Sequence, residues 1–292
     1  MDLLDGRKIS NDIKIEITQS VSKIRESGMR PPHLAAVIVG NDGASMTYVG
    51  AKVKACDFVG FQSTLVKLPE STPEISLIKK IHALNEDSKI DGFIVQLPLP
   101  NHMDEQKILM AISPDKDVDG FHPTNVGKLS LGLPTFISAT PYGIIELLKR
   151  YNVKTSGKHV VVIGRSNIVG RPLSILMSQK RISGNATVTV AHSRTQNLSD
   201  LTKKADIIVT ALGIPEFLKA DMIKSDSVVI DVGITRVNDS STKKGYKIVG
   251  DVDFENVSKR TSYITPVPGG VGPMTIAMLL KNTLQAYNKK HA

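Results

Sequence analysis

Tyr48 and Lys52 are two side chains whose types and spacing could do chemistry. They stand four positions apart after the apolar run 34–39, and on a helix this spacing places two side chains on one face. A phenol and an amine that converge at the carboxyl end of a strand could carry acid/base chemistry. The same spacing also fits an exposed lysine whose stem packs on a tyrosine, so the pair alone leaves both interpretations open.

A strand and a helix must position this pair, and the neighbouring sequence predicts both. The run 34–39 is typical of a buried strand, and the helix after it would begin with Ser45 as N-cap, because a serine hydroxyl can accept a bond from a backbone amide. Further strands are predicted at 61–67 and 92–96, with a helix that begins near Pro73 between them. This alternation predicts a parallel α/β layer.

Three aspartates alternate in a loop further along the chain. Asp115, Asp117 and Asp119 precede Gly120, which matches the first half of a calcium-binding loop. Position twelve of such a loop should be a glutamate that binds through both oxygens, but it is Val126, so we exclude calcium. The aspartates therefore hold a turn or present a carboxylate to a ligand, and the local sequence favours the turn.

A glycine-containing turn follows the clearest buried strand, residues 158–163. Gly164, Ser166 and Gly170 resemble the dinucleotide fingerprint Gly-x-Gly-x-x-Gly, with a serine in place of the middle glycine. Such a turn lets backbone amides approach a pyrophosphate at the positive end of the next helix. We therefore expect a dinucleotide-binding domain in this half of the chain.

The strand at 186–191 indicates which dinucleotide is preferred. NAD-preferring sites usually place an acid here to bind the ribose 2′-hydroxyl, but the strand ends in a segment that contains Ser193 and Arg194. Together with Arg165, these residues suit a 2′-phosphate through hydroxyl and charge-assisted bonds. The sequence favours NADP over NAD.

Composition excludes several classes of function. The 292 residues are enough for two globular domains, and the formal net charge of +9 is spread along the chain. With 4% aromatic residues and no tryptophan, nucleic-acid binding is not expected. The seven histidines are scattered singly and there are no paired cysteine ligands, so no metal site is predicted.

The same composition predicts a cytoplasmic protein. Cys56 is the single cysteine, so an internal disulfide is impossible and a reducing compartment is favoured. The first eight residues include four charged side chains and lack the apolar core of a signal peptide, and no apolar run approaches the roughly 20 residues needed to span a bilayer.

Together these motifs resemble the bifunctional methylenetetrahydrofolate dehydrogenase/methenyltetrahydrofolate cyclohydrolase family, the bacterial FolD proteins. The matching segments follow the family's order over nearly the whole chain. They are Gly43-Ala44-Ser45-x-Thr47-Tyr48-Val49 with Lys52, Asp91-Gly92 with Val95-Gln96-Leu97-Pro98-Leu99-Pro100, Lys116-Asp117-Val118-Asp119-Gly120-Phe121-His122-Pro123, Gly164-Arg165-Ser166-Asn167-Ile168-Val169-Gly170, His192-Ser193-Arg194-Thr195, Asp231-Val232-Gly233-Ile234 and the loop 265–275.

The resemblance implies a role for each catalytic residue. Lys52 would be the general acid/base of the cyclohydrolase step, in a cleft between two domains. Gln96 would bond to Lys52 and tune it, Tyr48 would pack on the folate, and Asp119 would hold the pterin ring. The other implied folate contacts are Leu97, Pro98, Pro268 and Gly269. The implied NADP contacts are Gly164, Arg165, Ser166, Ser193, Arg194 and Ile234.

The resemblance also implies the fold, the reaction and the partners. The fold would be α/β with two domains: a folate-binding catalytic domain (1–139 plus 272–292) and a Rossmann-type NADP-binding domain (140–271), with the C-terminal helix packed back on the first. The protein would oxidise 5,10-methylenetetrahydrofolate with NADP and hydrolyse the methenyl product to 10-formyltetrahydrofolate. A homodimer and possibly polyglutamylated folates are implied, with no membrane or nucleic-acid partner.

Three alternatives compete with this interpretation. A short-chain dehydrogenase also uses Tyr-x-x-x-Lys, but there the pair follows the glycine-rich turn, whereas here it precedes it by over a hundred residues. A monofunctional dehydrogenase of the same family is closer, and the presence of Lys52 argues against it. The third is a non-catalytic nucleotide-binding module, which would bind NADP without turning over folate.

Overall fold

The computed structural model describes residues 1–242 and 245–291. Its α-helices are α1 (Gly6–Glu26), α2 (Gly43–Val59), α3 (Glu74–Glu86), α4 (Glu105–Ala111), α5 (Pro123–Ser130), α6 (Ala139–Arg150), α7 (Gly170–Ser178), α8 (Leu198–Thr202), α9 (Phe254–Val257) and α10 (Val271–His291). Its β-strands are β1 (Asp2–Leu3), β2 (His33–Val39), β3 (Gln62–Leu68), β4 (Gly92–Val95), β5 (His159–Ile163), β6 (Thr187–Ala191), β7 (Ile207–Thr210), β8 (Ser227–Asp231), β9 (Thr235–Asn238), β10 (Tyr246–Val249) and β11 (Thr261–Ile264). Short 3-10 helices cover Ala220–Met222 and Ser258–Arg260.

The chain forms two compact units. Unit 1 contains residues 1–10 and 140–275, and unit 2 contains residues 11–139 and 276–292. The first ten residues fall in unit 1 because β1 pairs in parallel with β11 and the amide of Leu4 donates to the carbonyl of Ile264 at 2.9 Å. The sequence-based division differs at residues 1–10 and 272–275, since a two-residue strand leaves no periodic pattern to read.

Unit 2 contains a three-stranded parallel sheet in the order β3-β2-β4. The central strand β2 is buried over almost its whole length, as its unbroken apolar sequence requires. Side chains of β2, β4, α3 and α4 share one hydrophobic core, in which Phe93 and Leu77 are fully buried. The sheet therefore provides a rigid base for side chains at its carboxyl edge.

Helix α2 begins three residues earlier than an N-cap at Ser45 predicts. Asp42 is the N-cap, and its carboxylate accepts a hydrogen bond from the amide of Ser45 at 2.7 Å. The prediction of Ser45 as the cap was wrong. Asp42 is an equally good N-cap residue and lies earlier in the chain, so the helix already includes Ser45, whose amide the Asp42 carboxylate caps. The helix ends at Gly60, whose φ of 78° lies in the left-handed region that glycine adopts without strain.

Unit 1 contains a six-stranded parallel sheet in the order β1-β11-β8-β7-β5-β6. Strands β5, β7 and β8 are almost wholly buried, and β6 is an edge strand. Strands β9 and β10 form a separate antiparallel pair. This arrangement of parallel strands with covering helices is typical of dinucleotide-binding domains.

The C-terminal part of α10 belongs to unit 2. Asn282 is fully buried, and its Nδ2 donates to the carbonyls of Val118 at 2.8 Å and Ile137 at 2.9 Å. The predicted fold class, two α/β domains with the last helix returning to the first, is therefore confirmed. No helix within residues 1–242 and 245–291 is long and apolar enough to cross a membrane.

Candidate active site

Helix α2 presents Lys52 and Tyr48 on one face, as their spacing predicts. Lys52 is 8% exposed, so its amine is buried within unit 2 and does not extend into solvent. Tyr48 is partly buried, and burial raises the pKa of its phenol. The phenol is therefore protonated at neutral pH and can donate a hydrogen bond.

Gln96 is the partner of Lys52. The ammonium of Lys52 donates to Oε1 of Gln96 at 3.1 Å, and Nε2 of Gln96 donates to the carbonyl of Leu97 at 2.6 Å. The backbone amide of Gln96 donates to the carbonyl of Val37 in β2 at 2.8 Å, which fixes the residue just past the end of β4. Because an ammonium group can only donate, this network gives the Gln96 amide one orientation.

Asp119 completes the charged part of the site. Burial lowers the pKa of Lys52, and the negative charge of Asp119 partly opposes this effect. Burial raises the pKa of Asp119 to about 6, with Lys52 opposing the rise and Asp117 adding to it. The two pKa values thus move toward each other, so an amine and a carboxyl group can both change protonation state closer to neutral pH than in water.

Leu97 and Pro98 continue the chain at the carboxyl edge of the unit 2 sheet. Their peptide bond is cis, and Pro98 is exposed while Leu97 is partly buried. The structure thus places Tyr48, Lys52, Gln96, Leu97, Pro98 and Asp119 within unit 2. An apolar surface beside a lysine and a carboxyl group is suited to a flat, polar-edged ring.

Pro268 and Gly269 lie in unit 1, in the loop before α10. The Val267-Pro268 peptide bond is cis, and the carbonyl of Gly269 accepts a hydrogen bond from the amide of Arg7 at 3.0 Å. Gly269 has φ 121°, a conformation that favours glycine. The loop is rigidly held within its own unit, and its predicted folate contacts stay a prediction.

The glycine turn of unit 1 connects β5 to α7. Gly164 has φ 127° and lies against the carbonyl of Ala211, and a Cβ on Gly170 would overlap the carbonyl of Gly164. Both positions therefore need glycine. The turn is Gly-x-Ser-x-x-x-Gly, one residue longer than the fingerprint Gly-x-Gly-x-x-Gly with which the sequence was compared.

Ser166 organises this turn. Its Oγ accepts hydrogen bonds from the amides of Val169 at 3.1 Å and Gly170 at 3.5 Å. Residues 165–168 are exposed, and the turn leads into the positive end of α7, which favours a negatively charged group. The turn fits a dinucleotide.

Arg165, Ser193 and Arg194 are exposed residues of the same unit. Ser193 and Arg194 follow the end of β6, next to β5 in the sheet, and Arg165 follows the end of β5. Carboxyl ends of adjacent parallel strands lie at one edge of a sheet, so the three residues share that edge. Ile234 is also exposed and follows β8.

Two buried aspartates of unit 1 have structural roles that the sequence analysis did not assign: Asp231 was named only within a family motif, and Asp251 was not named. Asp231 accepts hydrogen bonds from the amides of Gly233, Asp251 and Val252, and burial raises its pKa to about 6. Asp251 accepts from three consecutive amides that begin at Leu212. These bonds fix the loops after β7 and β8. The sequence signal for Asp231 was an acidic residue at the end of the apolar strand β8.

A metal centre has no support in the described part of the chain. No group of three or more histidine, cysteine, aspartate and glutamate side chains that could hold a metal ion occurs in residues 1–242 and 245–291. Cys56 is buried, and burial raises the pKa of its thiol to about 12, which keeps it protonated and unreactive.

Two family models match nearly the whole chain. The model of the tetrahydrofolate dehydrogenase/cyclohydrolase catalytic domain matches residues 4–119, and the model of its NAD(P)-binding domain matches residues 138–291. Among curated proteins, the bifunctional protein FolD of Flavobacterium johnsoniae is 67% identical over 292 residues, covering 100% of this chain and 99% of that protein. The FolD protein of Bacteroides fragilis is 57% identical over 289 residues, covering 99% of each.

Solved structures give the same result. The FolD enzyme of Campylobacter jejuni has a TM-score of 0.93 and 47% identity, with 99% of each chain covered. The FolD enzyme of Trypanosoma brucei, complexed with NADP cofactor and an inhibitor, has a TM-score of 0.93 and 40% identity, with 98% of this chain and 97% of that chain covered. Similarity therefore extends over both units.

Proposed function

This chain belongs to the tetrahydrofolate dehydrogenase/cyclohydrolase family, and on that premise we propose how its residues divide the two reactions. The protein is a bifunctional enzyme of folate metabolism, a methylenetetrahydrofolate dehydrogenase and a methenyltetrahydrofolate cyclohydrolase. Lys52 is the general acid/base of the cyclohydrolase step in this proposal. The observation that carries it is the buried amine of Lys52, bonded to Gln96 with a lowered pKa.

Hydrolysis of the methenyl group needs three proton movements. Water adds to the methenyl carbon and loses a proton. The bond from that carbon to the ring nitrogen N5 then breaks as N5 gains a proton and the new hydroxyl group loses its proton to solvent, so that one proton is released overall. Neutral Lys52 takes the first proton, and its ammonium form returns a proton to N5. Lowering of the pKa of Lys52 by burial supports this role, because an unperturbed amine near 10.4 would be almost entirely protonated at neutral pH.

Gln96 and Asp119 assist Lys52 in different ways. Gln96 holds the amine in one direction through its Oε1, so that less orientational freedom is lost when substrate binds. Asp119 accepts hydrogen bonds from the N–H groups of the pterin ring when ionised, and it stabilises the ammonium form of Lys52. Tyr48 packs on the folate, and the further folate contacts are Leu97, Pro98, Pro268 and Gly269.

Unit 1 holds the dinucleotide in this proposal, and the bound cofactor supplies the hydride acceptor for the dehydrogenase reaction. The backbone of Gly164 and Ser166 approaches the diphosphate, and Ile234 is a further cofactor contact. Arg165, Ser193 and Arg194 bind a ribose 2′-phosphate, so NADP is preferred over NAD. Their exposure at the carboxyl ends of β5 and β6 supports this assignment.

We also propose a homodimer that works in the cytoplasm. The family resemblance supports the dimer, and the single buried cysteine supports a reducing compartment. The net charge of +9 favours anionic ligands, so polyglutamylated folates should bind more tightly than the monoglutamate at low salt. Equal affinity for both forms would contradict this last proposal.

An absorbance time course tests the division of labour. The purified protein is mixed with methylenetetrahydrofolate and NADP⁺, and reduced nicotinamide and the methenyl compound are followed in one cuvette. Nicotinamide reduction with little methenyl accumulation supports both activities. Methenyl accumulation equal to the reduced nicotinamide would leave a dehydrogenase alone, and the role of Lys52 would fail. A parallel run with NAD⁺ measures the cofactor preference.

A further inference from the structure

Asp117 is a buried carboxylate that the proposed catalytic roles do not use. Its residue is 2% exposed, and it lies two positions before Asp119 in the same loop. Its carboxylate accepts hydrogen bonds from the amides of Phe121 at 3.2 Å and His122 at 2.7 Å. It also accepts one from Nδ2 of Asn125 at 2.8 Å. A carboxylate buried on three neutral donors carries a specific structural task, because its desolvation is costly.

These hydrogen bonds close the loop around Asp119. The donors at Phe121 and His122 come after Asp119 in the chain, whereas the acceptor Asp117 comes before it. The carbonyl of Asp117 also accepts a bond from the amide of Gly120 at 3.1 Å. Asp117 therefore fixes the backbone on both sides of Asp119. None of these hydrogen bonds uses the carboxyl group of Asp119.

Asn125 and Thr135 in turn hold the Asp117 carboxylate. Asn125 is 2% exposed, and its Nδ2 is shared between Asp117 and the carbonyl of Pro114 at 2.9 Å. The hydroxyl of Thr135 donates to Oδ1 of Asn125 at 2.8 Å, which fixes the orientation of the amide. This chain of bonds, Thr135 to Asn125 to Asp117, leaves the carboxylate one position.

The peptide before Asp119 is held from two other directions. The amide of Phe93 in β4 donates to the carbonyl of Lys116 at 3.0 Å, and Gly92 lies against the side chain of Val118 with no room for a Cβ. From α10, Asn282 donates to the carbonyl of Val118 at 2.8 Å. The loop is thus fixed to the sheet that also positions Gln96.

We propose that Asp117 is a positioning residue for the folate reactions: it fixes the backbone on both sides of Asp119, and its negative charge acts on Asp119 from inside the loop. This inference rests on the proposed roles of Lys52 and Asp119. The charged groups that act on Asp119 are Lys52 from α2 and Asp117 from the loop. Substrate would therefore meet a carboxyl group whose position and protonation state both depend on Asp117.

The proposal predicts a combined effect of Asp117→Asn. Asparagine keeps the shape but loses one acceptor and the charge, so the loop relaxes and KM for methylenetetrahydrofolate rises about 10-fold while kcat of the dehydrogenase changes less. Because the negative charge of Asp117 raises the pKa of Asp119, its loss lowers that pKa. The acid limb of kcat/KM then moves to lower pH by about half a unit.

Asp115→Asn is the matched control. Asp115 lies in the same loop and is exposed, and its carboxylate pairs with Lys289 at 2.6 Å on the surface. This variant removes the same charge two residues away without touching the bonds around Asp119. It should keep the wild-type KM and pH profile. NADP⁺ affinity, measured by fluorescence titration, should be unchanged in both variants because the proposed cofactor contacts lie in unit 1.

Thr135→Val separates geometry from charge. It removes the donor that orients Asn125 and leaves the Asp117 carboxylate charged. We expect KM for the folate to rise about 3-fold with the acid limb unmoved. If circular dichroism shows that Asp117→Asn does not fold, Thr135→Val decides the question: a wild-type KM in that variant would overturn the positioning role.

The failure of this inference differs from the failure of the proposed function. A folded Asp117→Asn variant with wild-type KM and pH profile overturns the inference, and an Asp115→Asn variant with the same changes as Asp117→Asn does so too. Wild-type hydrolysis by Lys52→Met instead overturns the proposed function on which the inference rests. A Lys52→Met variant that loses hydrolysis but keeps hydride transfer, together with a wild-type KM and pH profile in Asp117→Asn, overturns the inference and leaves the proposed function intact.

Discussion

Nζ of Lys52 donates to Oε1 of Gln96 at 3.1 Å, so one hydrogen bond joins the middle of α2 to the end of β4. The other half of the Gln96 amide is used by the carbonyl of Leu97 at 2.6 Å. The Gln96 side chain cannot rotate without losing one of these two hydrogen bonds. The carbonyl of Leu97 therefore sets the direction of Lys52 through Gln96. The first two predictions, for Lys52→Met and Gln96→Glu, follow from this hydrogen bond.

Lys52→Met should abolish hydrolysis while it spares much of the hydride transfer. Methionine fills a similar volume but moves no proton, so the cyclohydrolase rate should fall by at least about 100-fold. Dehydrogenase kcat should stay within about 10-fold, as followed by nicotinamide absorbance. Lys54→Met, at an exposed position of the same helix, is the control and should have wild-type rates. Equal loss of both activities in Lys52→Met would contradict the division of labour.

Gln96→Glu should move the rising limb of the hydrolysis pH profile, where Lys52 loses its proton, to higher pH. A carboxylate beside Lys52 stabilises the ammonium form, which reverses the lowering of the pKa of Lys52 by burial. Less neutral amine is then present at pH 7.5, and hydrolysis should slow by about 10-fold there. Rates measured from pH 6 to 10 check the prediction. An unmoved rising limb would show that Lys52 does not titrate in this range.

Asp119 should produce an acid limb in kcat/KM near pH 6. Burial raises the pKa of Asp119 to about 6, so the carboxylate is ionised above that pH and protonated below it. Protonation removes the negative acceptor for the pterin N–H groups, so kcat/KM for the folate should fall as pH falls through 6. Asp119→Asn should lack this limb. A limb that persists in the variant belongs to another group.

Arg165→Ala and Arg194→Ala should weaken NADP⁺ selectively. Each loses a charge-assisted bond to the 2′-phosphate, so KM for NADP⁺ should rise about 10-fold while KM for NAD⁺ stays nearly constant. Lys203→Ala, an exposed cation at the end of α8, controls for the general loss of positive charge. Equal changes for both cofactors would remove the basis for NADP preference.

Gly170→Ala should destabilise the glycine turn. Its Cβ would overlap the carbonyl of Gly164, and the backbone must move to accommodate it. We expect a loss of about 2 kcal/mol in the free energy of unfolding and weaker NADP⁺ binding. Gly127→Ala, in α5 with open space at its Cβ position, should instead gain about 0.5–1 kcal/mol from helix propensity. Thermal unfolding of both variants checks the contrast.

Much of this arrangement could be predicted from local sequence. The spacing of Tyr48 and Lys52 predicts a shared helix face, and the apolar runs at β2 and β5 predict buried parallel strands. Those patterns have a short period, so a window of a dozen residues contains the whole signal. The reaction was predicted from the order of several motifs along the chain, each of them weak alone, and not from the spacing of any single pair of residues.

The bonds that hold the Asp119 loop could not be predicted in this way. Asp117 was interpreted as part of a turn, and its backbone does form one. Its partner Asn125 and the hydroxyl of Thr135 could not be predicted, because no periodic sequence pattern marks them. Asn282 is 164 positions away from the carbonyl of Val118 that it binds. Such pairs become visible only when tertiary structure brings them together.

The bond from Asn282 to Val118 also bears on synthesis of the chain. The Asn282 amide that holds the loop before Asp119 is synthesised 164 residues after Val118, because the ribosome makes proteins from the amino end. Residues 11–139 can collapse around β2 during translation, but this bond cannot form until Asn282 in α10 has been made. A nascent chain that stalls just before Asn282 would lack this bond, so the loop that carries Asp119 would be incompletely held.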